Sequence, residues 1–325
     1  MKRINIWMQE EYRWPMTFGF VPNLVEYPIE DGTVHPCMIV VPGGGYTLAA
    51  PSEGEVVARR FNTLGYHCFV LTYTTNPLGL TPLLEQPMRD LARAIRLVRA
   101  KAREMFIDPR RIYVCGFSAA AHLCACLCTY YSELRDDSSE YEEIPCRPDG
   151  AVLCYPVITA GPFAHQDSFR KLLGVDIYER DDEESLRLLD RFSMEKHVHR
   201  NMPPCFLWQT ATDELVPVEN SYLFAAALYE HGVRYAHHVF SSGRHGLSTA
   251  DEAWARGDFG EPYPTEQLQA VINAIRCGDL QQPEEMYEWL CSLRDPVEKN
   301  HDVPYREVEV WPILADCFLK QAHNA

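Results

Sequence analysis

A serine hydroxyl becomes a competent nucleophile only where a sharp turn exposes it, a histidine can take its proton and amide groups can hold the oxyanion that forms. Residues 111–120, Arg-Ile-Tyr-Val-Cys-Gly-Phe-Ser-Ala-Ala, have the composition of such a turn. An apolar run breaks at Gly116, presents Ser118 and continues into small, helix-favouring residues. The pattern is Gly116-x-Ser118-x-Ala120, with alanine where a second glycine is usual. Further along, the strand-like run 204–210 is followed by Asp213, with Glu214 as its neighbour and competitor, and the run 235–240 is followed by Gly243-Arg244-His245-Gly246. Nucleophile, acid and base candidates therefore stand in the order Ser118, Asp213, His245, each just past an apolar run. His237 and His238 lie inside a strand pattern and face opposite sides of it, so neither reaches a serine above the strand ends. His122, one turn beyond Ser118, suits a core or capping role, and His165, in a loop flanked by proline and glycine, is a candidate for the pocket wall.

A second constellation precedes the serine. Cys37-Met38-Ile39-Val40-Val41 runs into Pro42-Gly43-Gly44-Gly45-Tyr46, three glycines where the backbone passes close to something and can aim N–H groups at developing charge. No Gly-x-Gly-x-x-Gly spacing and no Gly-Lys-Ser/Thr accompanies it, which argues against a nucleotide phosphate. Tyr46, beside the loop, is expected to contact substrate and to limit the room for an acyl group.

These residues need a frame that brings loop ends together. Strand patterns near 37–41, 67–73, 111–115, 151–157, 204–209 and 235–240 alternate with helical patterns near 53–64, 86–105, 119–131 and 219–231. This is the βαβ rhythm of a mostly parallel sheet with helices on both faces, in which ligands bind at the carboxyl ends of the strands. The chain reads as one α/β domain. An insertion at about 160–202, with helical patterns at 168–173 and 183–189, is expected to form a small helical lid. A second excursion at about 257–300 carries patterns at 265–275 and 284–293, and a final helix is expected over 308–321. On helix 86–105, Arg93, Arg96, Arg99 and Lys101 are expected on the solvated side.

The glycine loop, the strings Glu53-Gly54-Glu55 and Gly65-Tyr66-His67-Cys68-Phe69-Val70-Leu71, the turn Gly116-Phe117-Ser118-Ala119-Ala120-Ala121-His122-Leu123, and Asp213-x-x-Val216-Pro217 with Gly243-Arg244-His245-Gly246-Leu247 together resemble the α/β-hydrolase esterase/lipase family, in its acetyl-xylan-esterase-like branch of carbohydrate esterases. The resemblance runs from about residue 15 to 250. It implies Ser118 as nucleophile, His245 as general base, Asp213 as its partner, and the amides of Ala119 with Gly44 or Gly45 as the oxyanion hole. The implied substrates are small acyl esters, acetyl groups on sugars above all. Two departures stand out: Ala120 replaces a glycine, and Pro42 stands where hormone-sensitive-lipase-like relatives carry histidine. A peptidase, an amidase or formamidase, and a non-catalytic module on the same scaffold are the alternatives.

Composition narrows the classes further. The 325 residues carry a net charge of −16, which argues against nucleic acid and anionic membrane surfaces as partners. No stretch approaches the roughly twenty apolar residues of a membrane span. Met1–Glu10 is interrupted by polar residues and does not read as a signal peptide, so a cytoplasmic location is expected. Most of the twelve cysteines lie in apolar runs, as core thiols do. On a helix Cys124 and Cys128 share a face that Cys126 does not, and no Cys-x-x-Cys occurs, so neither metal nor cofactor is expected. The expected partner is a small-molecule ester, and the sequence leaves room for a homo-oligomer.

Overall fold

The computed structural model of the chain describes residues 2–294 and 303–323. Eight strands form one sheet: β1 (Lys2–Asn5), β2 (Asn23–Tyr27), β3 (His35–Val41), β4 (His67–Thr72), β5 (Ile107–Phe117), β6 (Gly150–Cys154), β7 (Cys205–Thr210) and β8 (Tyr235–Phe240). Their spatial order is β1-β2-β4-β3-β5-β6-β7-β8. The β1–β2 and β2–β4 pairs are antiparallel and the others parallel. Helices α1 (Glu55–Thr63), α2 (Gln86–Ala100), α3 (Ala119–Tyr130) and α7 (Glu219–Glu230) follow β3, β4, β5 and β7. The insertion after β6 holds α4 (Gln166–Leu173), α5 (Val175–Tyr178) and α6 (Glu183–Arg191). Beyond β8 come α8 (Glu252–Ala255), α9 (Glu266–Cys277), α10 (Glu284–Arg294) and α11 (Trp311–His323). This is the mostly parallel sheet flanked by helices that the alternating pattern predicts, in the α/β-hydrolase architecture that the resemblance implies, with β1 and β2 added at one edge.

The sheet is buried on both faces, and the period of two distributes its side chains accordingly. Cys37, Ile39 and Val41 join the cluster formed with α2, α3 and α7, whereas Met38 and Val40 join that of α1, α8 and α11. Helix α3 is buried along its whole length, as its unbroken Ala/Leu/Cys sequence requires. All twelve cysteines are free and nine are buried.

Helix α2 departs from expectation. Arg93 and Arg96 are 2% and 5% exposed rather than solvated. Arg93 Nε donates to Asp136 Oδ2 at 2.7 Å, with the guanidinium 4.0 Å from the Trp7 ring and 4.7 Å from Tyr141. Arg96 donates to the carbonyls of Leu134 and Ile144. The N-terminal segment and the 131–147 loop cover this side of α2, and helical periodicity carries no information about such coverings.

The insertion is fastened at its base: Leu83 and Leu84 N–H donate to the Leu172 carbonyl, and Asn220 Oδ1 accepts from Ile158 and Thr159 N–H. Helices α9 and α10 share a separate apolar cluster with Leu78, and Gln267 of α9 pairs with Thr75 through both the backbone N–H and the carbonyl. Positions 295–300 of the second excursion lie outside the described residues.

Candidate active site

Ser118 occupies the turn between β5 and α3 with φ 51° and ψ −120°, a backbone strained for any residue with a Cβ. Two contacts hold it there: its N–H donates to the Cys154 carbonyl and its carbonyl accepts from Val157 N–H. The turn also needs Gly116, because a Cβ at that position would lie 2.4 Å from the Ala120 carbonyl oxygen and 2.7 Å from Cys124 Sγ. Ala120 therefore sits at the close helix–strand approach with glycine on the strand side.

His245 bridges Ser118 and Asp213. Its Nε2 lies 2.9 Å from Ser118 Oγ and its Nδ1 lies 2.8 Å from Asp213 Oδ2. An ionised carboxylate only accepts, so the proton resides on Nδ1 and the Ser118 hydroxyl donates to Nε2. Asp213 is fixed in turn: its Oδ1 accepts from Leu215 and Val216 N–H, and Gln209 Nε2 donates to its Oδ2. The neighbouring Glu214 points elsewhere, accepting the His245 backbone N–H at 3.2 Å.

The glycine loop lies against the turn. A Cβ on Gly43 would meet the Phe117 carbonyl at 2.5 Å and Ser118 Cβ at 3.1 Å. Gly44 and Gly45 both have positive φ, 118° and 61°. The amides of Gly44, Gly45 and Ala119 have no backbone acceptor among the described residues. Gly43 N–H is occupied, donating to Glu53 Oε2 at 2.7 Å.

Glu53 is the residue the sequence reading left without a role. Its carboxyl is fully buried, burial pushes its pKa up, and its other oxygen accepts from the Tyr155 hydroxyl at 2.7 Å. The Tyr155 ring packs edge-on against His245, 4.8 Å between centroids, and its hydroxyl also accepts Ser248 N–H. One carboxyl thus ties the glycine loop to the histidine. Its signal in the sequence is an acidic residue eight positions beyond a glycine triplet.

Two expected contacts resolve differently. His165 borders the site: its Nδ1 hydrogen-bonds Ser168 Oγ at 2.8 Å, and burial together with the nearby His245 lowers its pKa. Tyr46 is not a wall of open space. It is 1% exposed, and its hydroxyl is paired with His122 Nδ1 at 2.8 Å, so it props the glycine loop from the core side. His122 is a core residue, its Nε2 bonded to the Phe192 carbonyl. His237 pairs with Ser221 and His238 packs on Phe206, away from Ser118. Among the described residues no group of histidine, cysteine and acidic side chains is arranged to hold a metal, and no helix is long and apolar enough to cross a membrane.

Residues 25–228 match the BD-FAE family. The chain belongs to that family. Among curated relatives, this BD-FAE chain is 45% identical over 273 residues to "Endo-1,4-beta-xylanase B" of Butyrivibrio fibrisolvens, covering 84% of the chain and 42% of the relative. It is 29% identical over 214 residues to "Acetylxylan esterase" of Xylanibacter ruminicola, covering 65% and 40%. The BD-FAE chain therefore spans about two fifths of the length of these relatives. Among solved structures, an acetyl ester-xyloside bifunctional hydrolase from Caldicellulosiruptor lactoaceticus is 38% identical with a TM-score of 0.68, covering 86% of this chain and 97% of that one.

Proposed function

We propose that this protein is a serine carboxylic ester hydrolase that removes acetyl groups from xylan-type saccharides. The observation that carries the reading is the continuous hydrogen-bond chain from Ser118 through His245 to Asp213. In this mechanism His245 takes the Ser118 proton as Oγ adds to the acetyl carbonyl, and Asp213 stabilises the imidazolium that forms. The oxyanion is held by Ala119 N–H, at the start of α3, and by Gly44 or Gly45 N–H, since the Gly43 amide is already engaged with Glu53. The tetrahedral intermediate collapses as His245 returns the proton to the departing sugar oxygen, and water, deprotonated by the same histidine, then releases acetate from Ser118. The names of the xylan-active relatives support the acetyl and saccharide parts of the reading.

The insertion at about 160–202 serves as the lid. Ser168 of α4 would lie 3.9 Å from a Cβ on Gly45, so this helix stands over the glycine loop and favours short acyl groups. The test combines Ser118→Ala, a fluorophosphonate label and a series of 4-nitrophenyl esters. Wild type is labelled and hydrolyses acetyl faster than octanoyl esters, and it releases acetate from acetylated xylan. Ser118→Ala does none of these while melting at a similar temperature. An unlabelled wild type, or an active Ser118→Ala, overturns the assignment.

A further inference from the structure

Away from Ser118, a groove of about 850 Å³ opens between the edge strand β1 and helix α9. Its walls follow from local periodicity. Arg3 and Asn5 alternate out of β1 on one face, while Ile4 packs toward the core. Glu266, Gln269, Ala270 and Asn273 recur on α9 at the spacing of one helix face, opposite the apolar stripe of Leu268, Val271 and Ile272. Asn23 of β2 also lines the groove.

The chemistry of this lining is specific. The groove gathers the carboxamides of Asn5, Gln9, Asn23, Gln269 and Asn273. A carboxamide carries a donor and an acceptor on one uncharged planar group, the complement of vicinal hydroxyls. Gln269 is engaged with Arg294 and Asn273, and Asn273 Oδ1 also accepts from Arg276, which leaves Asn5, Gln9 and the Asn273 amide N–H groups facing the groove. Asn23 is 2% exposed, and while its Nδ2 donates to the Val21 carbonyl and Glu266, its buried Oδ1 has no partner. A buried acceptor in this condition is one that a ligand hydroxyl can satisfy. Arg3 pairs with Glu266 and Arg294 donates to Gln269 Oε1, so both arginines that line the groove are engaged by the protein's own side chains.

Aromatic rings complete the surface, with Phe20 buried at its base. Phe18 is 39% exposed with a strained φ of 48°, and half-buried Tyr263 is held by a 2.9 Å hydrogen bond to Tyr27. A xylopyranosyl ring carries its hydroxyls around its rim and presents flat C–H faces, which aromatic rings cover well. Position supplies the remaining argument. Asn23 pairs with Thr72 at the carboxyl end of β4, the end of the sheet at which Ser118 sits. Strands β1 and β2 are four and three places from β5, about 14–19 Å at the ordinary strand spacing.

We propose that this groove is an accessory subsite for an unsubstituted stretch of the saccharide chain whose acetylated unit lies at Ser118. The proposal rests on the ester-hydrolase reading for its choice of xylan, and its test separates the two. Full-length Ser118→Ala is titrated with unsubstituted xylohexaose by calorimetry, alone and with exposed Phe18 and half-buried Asn273 changed as Phe18→Ala and Asn273→Ala. Binding to Ser118→Ala, weakened about tenfold or more by the added pair, is the expected result. In the otherwise wild-type background, the pair raises KM for acetylated xylan by a similar factor and leaves kcat and 4-nitrophenyl acetate hydrolysis unchanged. No binding of xylohexaose to Ser118→Ala, or equal binding with and without the pair, overturns the subsite. Loss of 4-nitrophenyl acetate hydrolysis in wild type bears on the ester-hydrolase reading alone, since the calorimetric arm involves no catalysis.

Discussion

At the scale of single residues, Asp213 and Glu214 are the sharpest contrast, adjacent carboxylates of which one meets an imidazole nitrogen and the other a backbone amide. Asp213→Asn replaces an acceptor with a group that favours the wrong tautomer of His245. It is expected to lower kcat by about 10³–10⁴, whereas Glu214→Gln changes it a few-fold at most. Steady-state kinetics of both variants on one acetyl ester decide the matter, and a severe loss in Glu214→Gln alone would reverse the two roles. Glu53 gives a second prediction. Glu53→Ala strands two buried donors, Gly43 N–H and the Tyr155 hydroxyl, and is expected to lower both the melting temperature and kcat, the latter by about ten- to a hundredfold as the glycine loop proposed to hold the oxyanion loosens. Glu53→Gln keeps an acceptor for the Gly43 amide but offers the Tyr155 O–H an N–H group in place of an acceptor, so it should recover only part of the loss. Ser118, Asp213 and His245 were legible because each stands on a short loop after an apolar run. Glu53 and Tyr155 were not, because their role arises from contacts 102 residues apart in the chain, which spacing does not reveal.

Helices and strands were legible where their periodicity is their own. The parallel strands and the helices after them fall within a few residues of their patterns, because burial on both faces makes β3, β4, β6 and β7 largely apolar runs, while half-buried β8 keeps its apolar ends around His237 and His238. Strands β1 and β2 are short, four and five residues, and carry no comparable run, so the antiparallel edge escaped notice. The burial of Arg93 and Arg96 on α2 is illegible for a related reason, since the loops that cover them are irregular. Helix α3 supports a prediction of its own. Burial lowers the His122 pKa from 6.5 to about 4, so the folded chain refuses a proton that the unfolded chain accepts below 6.5. The stability contributed by the neutral imidazole is complete above 6.5 and is lost as pH falls from there toward 4. Melting temperatures of wild type and His122→Gln should differ most at neutral pH and converge near pH 4.5. A constant difference across that range would show that His122 does not titrate as its burial requires.

For the molecule as a whole, the distribution of sulfur turns the core into an indicator of its own integrity. Nine of the twelve thiols are buried, from Cys37 on β3 to Cys205 on β7, whereas Cys277 and Cys317 are exposed and Cys291 is half-buried. Burial pushes several of the enclosed thiols up, Cys68, Cys124 and Cys128 among them, which withholds the reactive thiolate as well as access to it. Alkylation under native conditions should therefore stop at three groups per chain, counted by mass spectrometry, and the other nine should follow only as the sheet opens. Because eight of the enclosed sulfurs are spread over β3, β4, β5, α3, β6 and β7, with Cys146 in the loop before β6, the order in which they become labelled in rising denaturant maps which parts of the sheet separate first. A single all-or-none step would mark the sheet and its helices as one cooperative unit. Early labelling of any enclosed thiol would instead locate the seam along which the molecule comes apart.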